Sequence, residues 1–320
     1  MSAATATTAP AAQAVRRRRT LRGALWVLFA VVIWAGWMVT TRLGVATASP
    51  TRLSAWDITA LRFLVAGLLL APVVLRRGFA WRKLGASWFA VLVAGAGAPY
   101  VVVVTWALIF APAAHGGALL PGTMPLFVAI LAFALLRERM QWDRVAGLSL
   151  TVLGIAVLLG NEIWRPGIDT GGNAVAGDLL FLLAAFMWAC STLAMKRGGL
   201  APLHGTAVVA VASLLLYLPP YLMLTGRHVL SLPLAEAVFH GFYQGVMTSI
   251  VSLIAYMRGI ALLGPARGSA FSALVPVLAA LLGIPVLGEW PAPTTWIAVA
   301  LTATGVVLAS GVARALAARH

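Results

Sequence analysis

Residues 113–160 read AAHGGALLPGTMPLFVAILAFALLRERMQWDRVAGLSLTVLGIAVLLG, and residues 264–311 read GPARGSAFSALVPVLAALLGIPVLGEWPAPTTWIAVALTATGVVLASG. Slid over one another by 151 positions, they align without a gap: Pro125 falls on Pro276, Glu138 on Glu289, Gly154 on Gly305 and Gly160 on Gly311. Only 10 of 48 positions are identical, but the agreement falls on the residues that punctuate structure. Each copy reads as an apolar helix broken near its middle by proline, ended by a glutamate, and followed by a second apolar helix containing glycine. An internal repeat in so hydrophobic a chain points to two related halves.

The chain has 320 residues, of which 62% are hydrophobic and 10% charged, with a mean hydropathy of +0.97. A soluble globular domain is about 45–50% apolar and about 25% charged. These values describe an all-α integral membrane protein. The net charge of +15 sits mainly in short segments between apolar runs. There it acts as a topology signal and a contact for anionic lipid. No nucleic-acid-reading motif is present, so nucleic acid is not expected as a partner. The single cysteine, Cys190, excludes an internal disulfide and a cysteine metal cage.

Residues 1–20 read as a disordered basic tail ending in Arg16–Arg19. The apolar run 21–46 that follows has 26 residues, beyond the roughly 7–15 of a signal peptide. It is predicted to be the first transmembrane helix, uncleaved. A bilayer-spanning helix needs about 20 apolar residues. Ten such segments are predicted: 21–46, 56–75, 86–110, 114–136, 143–160, 175–195, 203–225, 235–257, 265–287 and 293–313. With the N-terminus inside, 18 Lys and Arg residues fall on inner segments and 4 on outer ones. That asymmetry predicts both termini cytoplasmic.

Ten helices divide into two halves of five, residues 21–160 and 175–313, joined by an outer-side linker at 161–174 and followed by a tail at 314–320. Five is odd, so the second half enters the membrane in the opposite sense and the repeat is inverted. At a shift of 154, Trp34 corresponds to Trp188 and Arg42 to Lys196. Inverted halves that exchange shapes give inward-facing and outward-facing forms of one path.

Three features carry a resemblance to a known family. They are the Trp34-Ala35-Gly36-Trp37 turn with a basic residue ending its helix, the Arg62-Phe63 pair, and the segment running from small residues through proline to glutamate in each half. That segment is Gly116–Pro125–Glu138 in one half and Gly268–Pro276–Glu289 in the other; Gly147 and Gly154 follow the first and Gly305 the second. Over about residues 22–313 the chain resembles the drug/metabolite transporter superfamily, and its EamA family in particular. The resemblance implies a ten-helix carrier of the bacterial inner membrane. It also implies a substrate path between the halves, lined mainly by helices 1, 3, 4, 6, 8 and 9. Two departures stand out: Ala298 occupies the position of Gly147, and the seventh span has no counterpart of Arg62. The family spans amino-acid, sugar, drug and metabolite carriers, so the substrate does not follow.

Trp34, Trp37 and Thr41 share one helical face, and their repeat partners are Trp188, Ser191 and Met195. Trp34 and Trp188 either face a solute across the path or pack against neighbours and lipid. On the eighth span, Gly241, Gly245, Thr248, Ser252 and Tyr256 form a stripe that suits either close helix packing or a hydrated wall. Pro99 is expected to bend the third span and bring Tyr100 to the path. Pro125 and Pro276 read as hinges, and His115, at the start of the fourth span, as part of a gate. Arg62 is expensive inside a membrane; it pairs with Asp57 or a carbonyl, or attracts an anionic substrate. Asp178 and Glu236 read as helix caps.

All eight acidic residues lie at span ends or in loops. Coupling through a mid-membrane carboxylate is therefore not expected. No P-loop sequence, HxxxH or ExxH pattern occurs, which argues against ATP-driven pumping and against a membrane enzyme. No cofactor is implied. A small-molecule carrier, most simply an exporter, is expected, with a passive channel of the same architecture as the alternative. The aromatic lining suits a neutral, zwitterionic or apolar solute, such as an aromatic amino acid or a cationic dye-like drug.

Overall fold

The computed structural model describes residues 8–46, 53–136, 141–164, 173–225 and 227–312. Every regular element among the described residues is helical. Among the described residues, nine helical stretches are long and apolar enough to cross a membrane: Arg17–Val45, Ala55–Arg77, Trp81–Phe110, Ala113–Leu131, Trp142–Trp164, Ala174–Arg197, Pro202–Leu224, Leu234–Leu263 and Pro265–Leu287. A tenth apolar helix, Pro293–Ala309, has 17 residues, about 25 Å at 1.5 Å per residue. These ten follow the order of the predicted segments and are termed the first to tenth spans. Large apolar side chains remain exposed on their outer faces, among them Leu68, Leu75 and Leu216. Helices apolar on the outside as well as the inside belong in lipid.

At the start of the chain the structure differs from expectation. The first helix runs from Thr8 to Ala46, so Arg16–Arg19 continue it rather than forming a separate tail. Ala, Gln and Arg are strong helix formers, and nothing in this segment stops the helix. Glu138, residues 165–172 of the linker and the tail at 314–320 lie outside the described residues.

Three spans are irregular, each for an identifiable reason. The third divides at Gly97 into Trp81–Ala96 and Ala98–Phe110. The expected bend at Pro99 thus falls two residues earlier. Proline is tolerated in the first turn of a helix, where its missing N–H would have no partner anyway. The freed Ala98 N–H donates instead to Ser213 Oγ of the seventh span, at 3.1 Å. In the eighth span, Gly241–Val251 is π-helical. Thr248 and Ser249 hydroxyls donate to the carbonyls five residues back, Tyr243 and Gln244, each at 2.9 Å. In the ninth, a 3₁₀ turn at Phe271–Ala273 precedes Leu274–Leu287 and places Pro276 beside a change of helix type. Pro125, by contrast, lies within the unbroken helix Ala113–Leu136.

Helix packing respects the sequence repeat. The fifth and tenth spans meet along small residues: a Cβ on Gly147 would meet Gly305 O at 2.6 Å, and one on Gly154 would meet Ala298 O at 3.1 Å. A shift of 151 takes Gly147 to Ala298 and Gly154 to Gly305, so these two contacts exchange. Other neighbours exchange in the same way. The first span packs on the eighth as the sixth packs on the third, and the fourth packs on the sixth as the ninth packs on the first.

Candidate functional site

A cavity of about 200 Å³ opens among the first, second, third, sixth, seventh and eighth spans. Trp34 reaches it from the first span, Arg62 and Phe63 from the second, Trp188 and Ser191 from the sixth, and Thr248 and Ser252 from the eighth. It extends to Met195 and Pro202, where the sixth span ends and the seventh begins. The second and seventh spans therefore take part in the lining. The fourth and ninth, expected there from the resemblance, do not.

The two tryptophans are held by different means. Trp34 donates its indole N–H to Ser252 Oγ at 3.0 Å and lies 4.9 Å from the Tyr256 ring at a tilt of 55°. The Ser252 hydroxyl in turn donates to the Thr248 carbonyl at 2.6 Å, a bond set up where the π-helix returns to α. Trp188 is 37% exposed and lies 5.2 Å from Tyr100. Ser191 donates to the Leu92 carbonyl at 3.1 Å.

Of the residues singled out in the sequence, Trp34, Trp188, Ser191, Thr248 and Ser252 line this cavity, while Trp37, Thr41, Tyr100 and Tyr256 form the layer behind it. In that layer Trp37 donates to Gln244 Oε1 at 2.8 Å, and Gln244 donates to Thr41 Oγ1 at 2.8 Å. All three are buried. A buried polar chain with every link made fixes the first span against the eighth.

Eight residues along the first helix from Trp34, about 12 Å at 1.5 Å per residue, Arg42 anchors a second cluster. Its Nε–H donates to Glu289 Oε1 at 2.7 Å, and its Nη1 donates to the Leu108 and Ile109 carbonyls at 2.5 and 3.1 Å. Glu289 Oε2 accepts the Ala113 N–H at 3.0 Å. One ion pair thus ties the end of the first span to the ends of the third and ninth and the start of the fourth. Beside it lies a cavity of about 250 Å³ that His115 also lines. His115 Nδ1 is 2.9 Å from Asp178 Oδ1, and both side chains are buried. Asp178 is therefore not a cap: Asn173 caps the sixth span, and the Asp178 carboxylate turns inward to the fourth. Asp57 does cap its helix, in a reciprocal bond with Ser54. Its carboxylate also accepts from Tyr221 and meets His228.

The model of the EamA-like transporter family matches residues 21–160 and 175–311. The chain belongs to this family. It is similar, at 26% identity over 308 residues, to the "Uncharacterized inner membrane transporter YedA" of Escherichia coli K12, covering 92% of this chain and 91% of that one. It is also similar, at 28% identity over 303 residues, to the "Probable terminal-alkyne amino-acid exporter" of Streptantibioticus cattleyicolor, covering 90% and 93%. A solved crystal structure superposes with a TM-score of 0.58 at 23% identity, covering 94% of this chain and 99% of that one; this likeness shows the fold. The protein is a multi-pass inner-membrane transporter with a small-molecule substrate.

Three residues that matter to the transporter's geometry were not among the expected site residues: Arg42, Gln244 and Glu289. Arg42 and Glu289 were both visible as span-ending charges. Nothing in their separation of 247 positions says that they meet. Gln244 was visible only as a polar residue in an apolar span. Among the described residues no group of three or more His, Cys, Asp or Glu side chains could hold a metal ion.

Proposed function

We propose that this transporter exports small metabolites, amino acids or drugs across the bacterial plasma membrane by alternating access. The carrying observation is the asymmetry of the path. The Trp34–Trp188 cavity reaches the Met195 and Pro202 end of the bundle, while the Arg42–Glu289 cluster ties four segments together at the other end. The charge distribution along the chain favours the Met195 end as cytoplasmic, with both termini on that side. The protein is then held open inward and closed outward.

Two inverted five-helix halves, 21–160 and 175–313, are the mechanical units of this reading. Helix contacts that exchange under the sequence repeat support it, because an inverted pair of halves interconverts its two forms by exchanging contacts. Pro276, beside the 3₁₀ turn, and Pro99, beside the Gly97 break, mark where the ninth and third spans flex; Pro125 and His115 act with them at the fourth. The export direction draws support from the relative named as an amino-acid exporter. The chain works as a carrier, not as an enzyme.

Purified protein in liposomes tests this. A carrier gives saturable flux that rises when substrate is placed on the opposite side, whereas flux linear in concentration without trans-stimulation identifies a channel. Trp34→Ala and Trp188→Ala are expected to lower the flux of whichever solute responds at least tenfold with unchanged protein yield.

A further inference from the structure

Arg62 is 8% exposed and lines the Trp34–Trp188 cavity. Its Nε and Nη1 have no hydrogen-bond partner. A buried guanidinium carries five donors and a fixed charge, and leaving them unmatched is strongly unfavourable. Asp57, the acid nearest to it in sequence on the same helix, does not serve it. Asp57 Oδ1 accepts from Tyr221, and Oδ2 accepts from Ser54 and lies 2.9 Å from His228. The faces of Trp37, at 5.1 Å, and Phe63, at 6.0 Å, lie under the positive charge. A ring face attracts a cation but does not fill the in-plane N–H positions. Arg42 shows what a satisfied arginine looks like in this fold: one carboxylate oxygen and two carbonyls.

Beyond the Thr206 hydroxyl, the rest of the lining offers an anion little else. The Ser191, Thr192, Thr248, Ser249 and Ser252 hydroxyls all donate to backbone carbonyls. Trp34 spends its N–H on Ser252. Among the described residues no acidic side chain lines the cavity to neutralise Arg62 or draw in a cation. The volume of about 200 Å³ is below the roughly 300–1,000 Å³ of sites for drug-sized ligands. We propose that Arg62 is the carboxylate anchor of the transport site. The substrate class is a small carboxylate, anionic or zwitterionic, whose apolar body lies against Trp34 and Trp188. Its carboxylate forms the planar paired contact that guanidinium geometry favours. An α-ammonium group is served by the lone pairs of the lining hydroxyls. A cationic dye-like solute is disfavoured by the same charge.

This assignment rests on the cavity being the transport site. The test uses full-length protein in liposomes and three probes of similar shape: 3-phenylpropionate, L-phenylalanine and 2-phenylethylamine. The two carboxylates are expected to bind and exchange with at least tenfold preference over the amine that lacks a carboxylate. Arg62→Gln is expected to erase that preference, and Arg62→Lys to keep part of it, with the Trp34 dependence unchanged. Equal handling of the amine by the wild-type protein, or failure of both carboxylates to bind at millimolar concentration, overturns the assignment. So does a wild-type carboxylate preference in Arg62→Gln. If Arg62→Gln does not fold, the comparison of probes on the wild-type protein decides. Loss of flux in Trp34→Ala with none in Arg62→Gln sinks the anchor alone. Unchanged flux in both variants sinks the cavity as the route.

Discussion

Gln244 joins the first span to the eighth with both ends of its amide, accepting from Trp37 and donating to Thr41. Because all three are buried, Gln244→Ala leaves a buried indole N–H without an acceptor. The cost of an unmatched buried group is about 1–3 kcal/mol. The expected result is a lower melting temperature in detergent and a loss of flux, since Trp37 underlies Arg62. Trp37→Phe leaves the buried Gln244 Oε1 unmatched instead, whereas Trp37→Phe combined with Gln244→Leu removes donor and acceptor together and should cost less than the sum of the two single changes; strictly additive losses would contradict this account. At this scale the sequence was partly legible. Trp34 and Trp188, which line the cavity, stand out by helical spacing and by the repeat, because both signals are local or periodic. The pairing of Arg62 with Asp57 was one of the readings left open, and helix geometry speaks against it. At 3.6 residues per turn, five residues are about 140° apart around the axis, so the two side chains leave the helix in different directions. The satisfaction of Asp57 by Tyr221 and His228 depends on the seventh span and the turn after it, and no spacing within the second span reports them.

Of the three irregular spans, the third and eighth depart furthest from regular helix, and in the third a glycine makes the break feasible. Gly97 sits at φ −95° and ψ −148°, and a Cβ there would collide with Ser213 Oγ and the Val93 carbonyl. Neither neighbour is free to move: Ser213 holds the Ala98 N–H, and Val93 accepts the Gly97 N–H at 2.7 Å. Gly97→Ala is therefore expected to cost about 1–3 kcal/mol through overpacking, read as reduced thermal stability and reduced flux. Ser213→Ala leaves the buried Ala98 N–H without an acceptor and should also cost about 1–3 kcal/mol. Equal stability of wild type and Gly97→Ala would show that the break is not fixed by this contact. The break itself was legible as a proline-glycine irregularity, though assigned to Pro99. Proline announces itself in a sequence, whereas the glycine that admits the close approach of Ser213 and Val93 is one of 31. The π-helix at Gly241–Val251 left no comparable mark. Gly241 and Gly245 read equally well as a packing stripe, and Gly245 does pack closely, with a Cβ there 2.6 Å from Val65 Cβ. The widened turn arises because Thr248 and Ser249 return their hydroxyls to carbonyls five residues back. That choice is made by the surrounding bundle.

For the whole molecule, the repeat made helix count and pairing legible, because lipid forces every span to be helical and apolar and the shift of 151 marks equivalent positions. It left open which end of the path is closed, since the two conformations of the proposed alternating-access cycle would share one sequence. In the mechanism proposed above the Arg42–Glu289 cluster holds one end shut, and its charges are only partly withdrawn from water, at 14% and 22% side-chain exposure. Hydrogen bonds to charged groups contribute about 1.5–3 kcal/mol, so losing the pair should move the inward–outward equilibrium roughly 10- to 100-fold. The measurement is the labelling rate, by a membrane-impermeant thiol reagent added outside, of Ser252→Cys in a Cys190→Ala background. Glu289→Gln is expected to raise that rate by this factor, because the amide still accepts the Ala113 N–H but no longer holds a cation. The exchange Arg42→Glu with Glu289→Arg restores the ion pair but moves the guanidinium away from the Leu108 and Ile109 carbonyls. It should therefore slow labelling only part of the way back. A rate unaffected by Glu289→Gln would mean that the helix ends are held together by packing alone, and the ion pair would then have no part in switching.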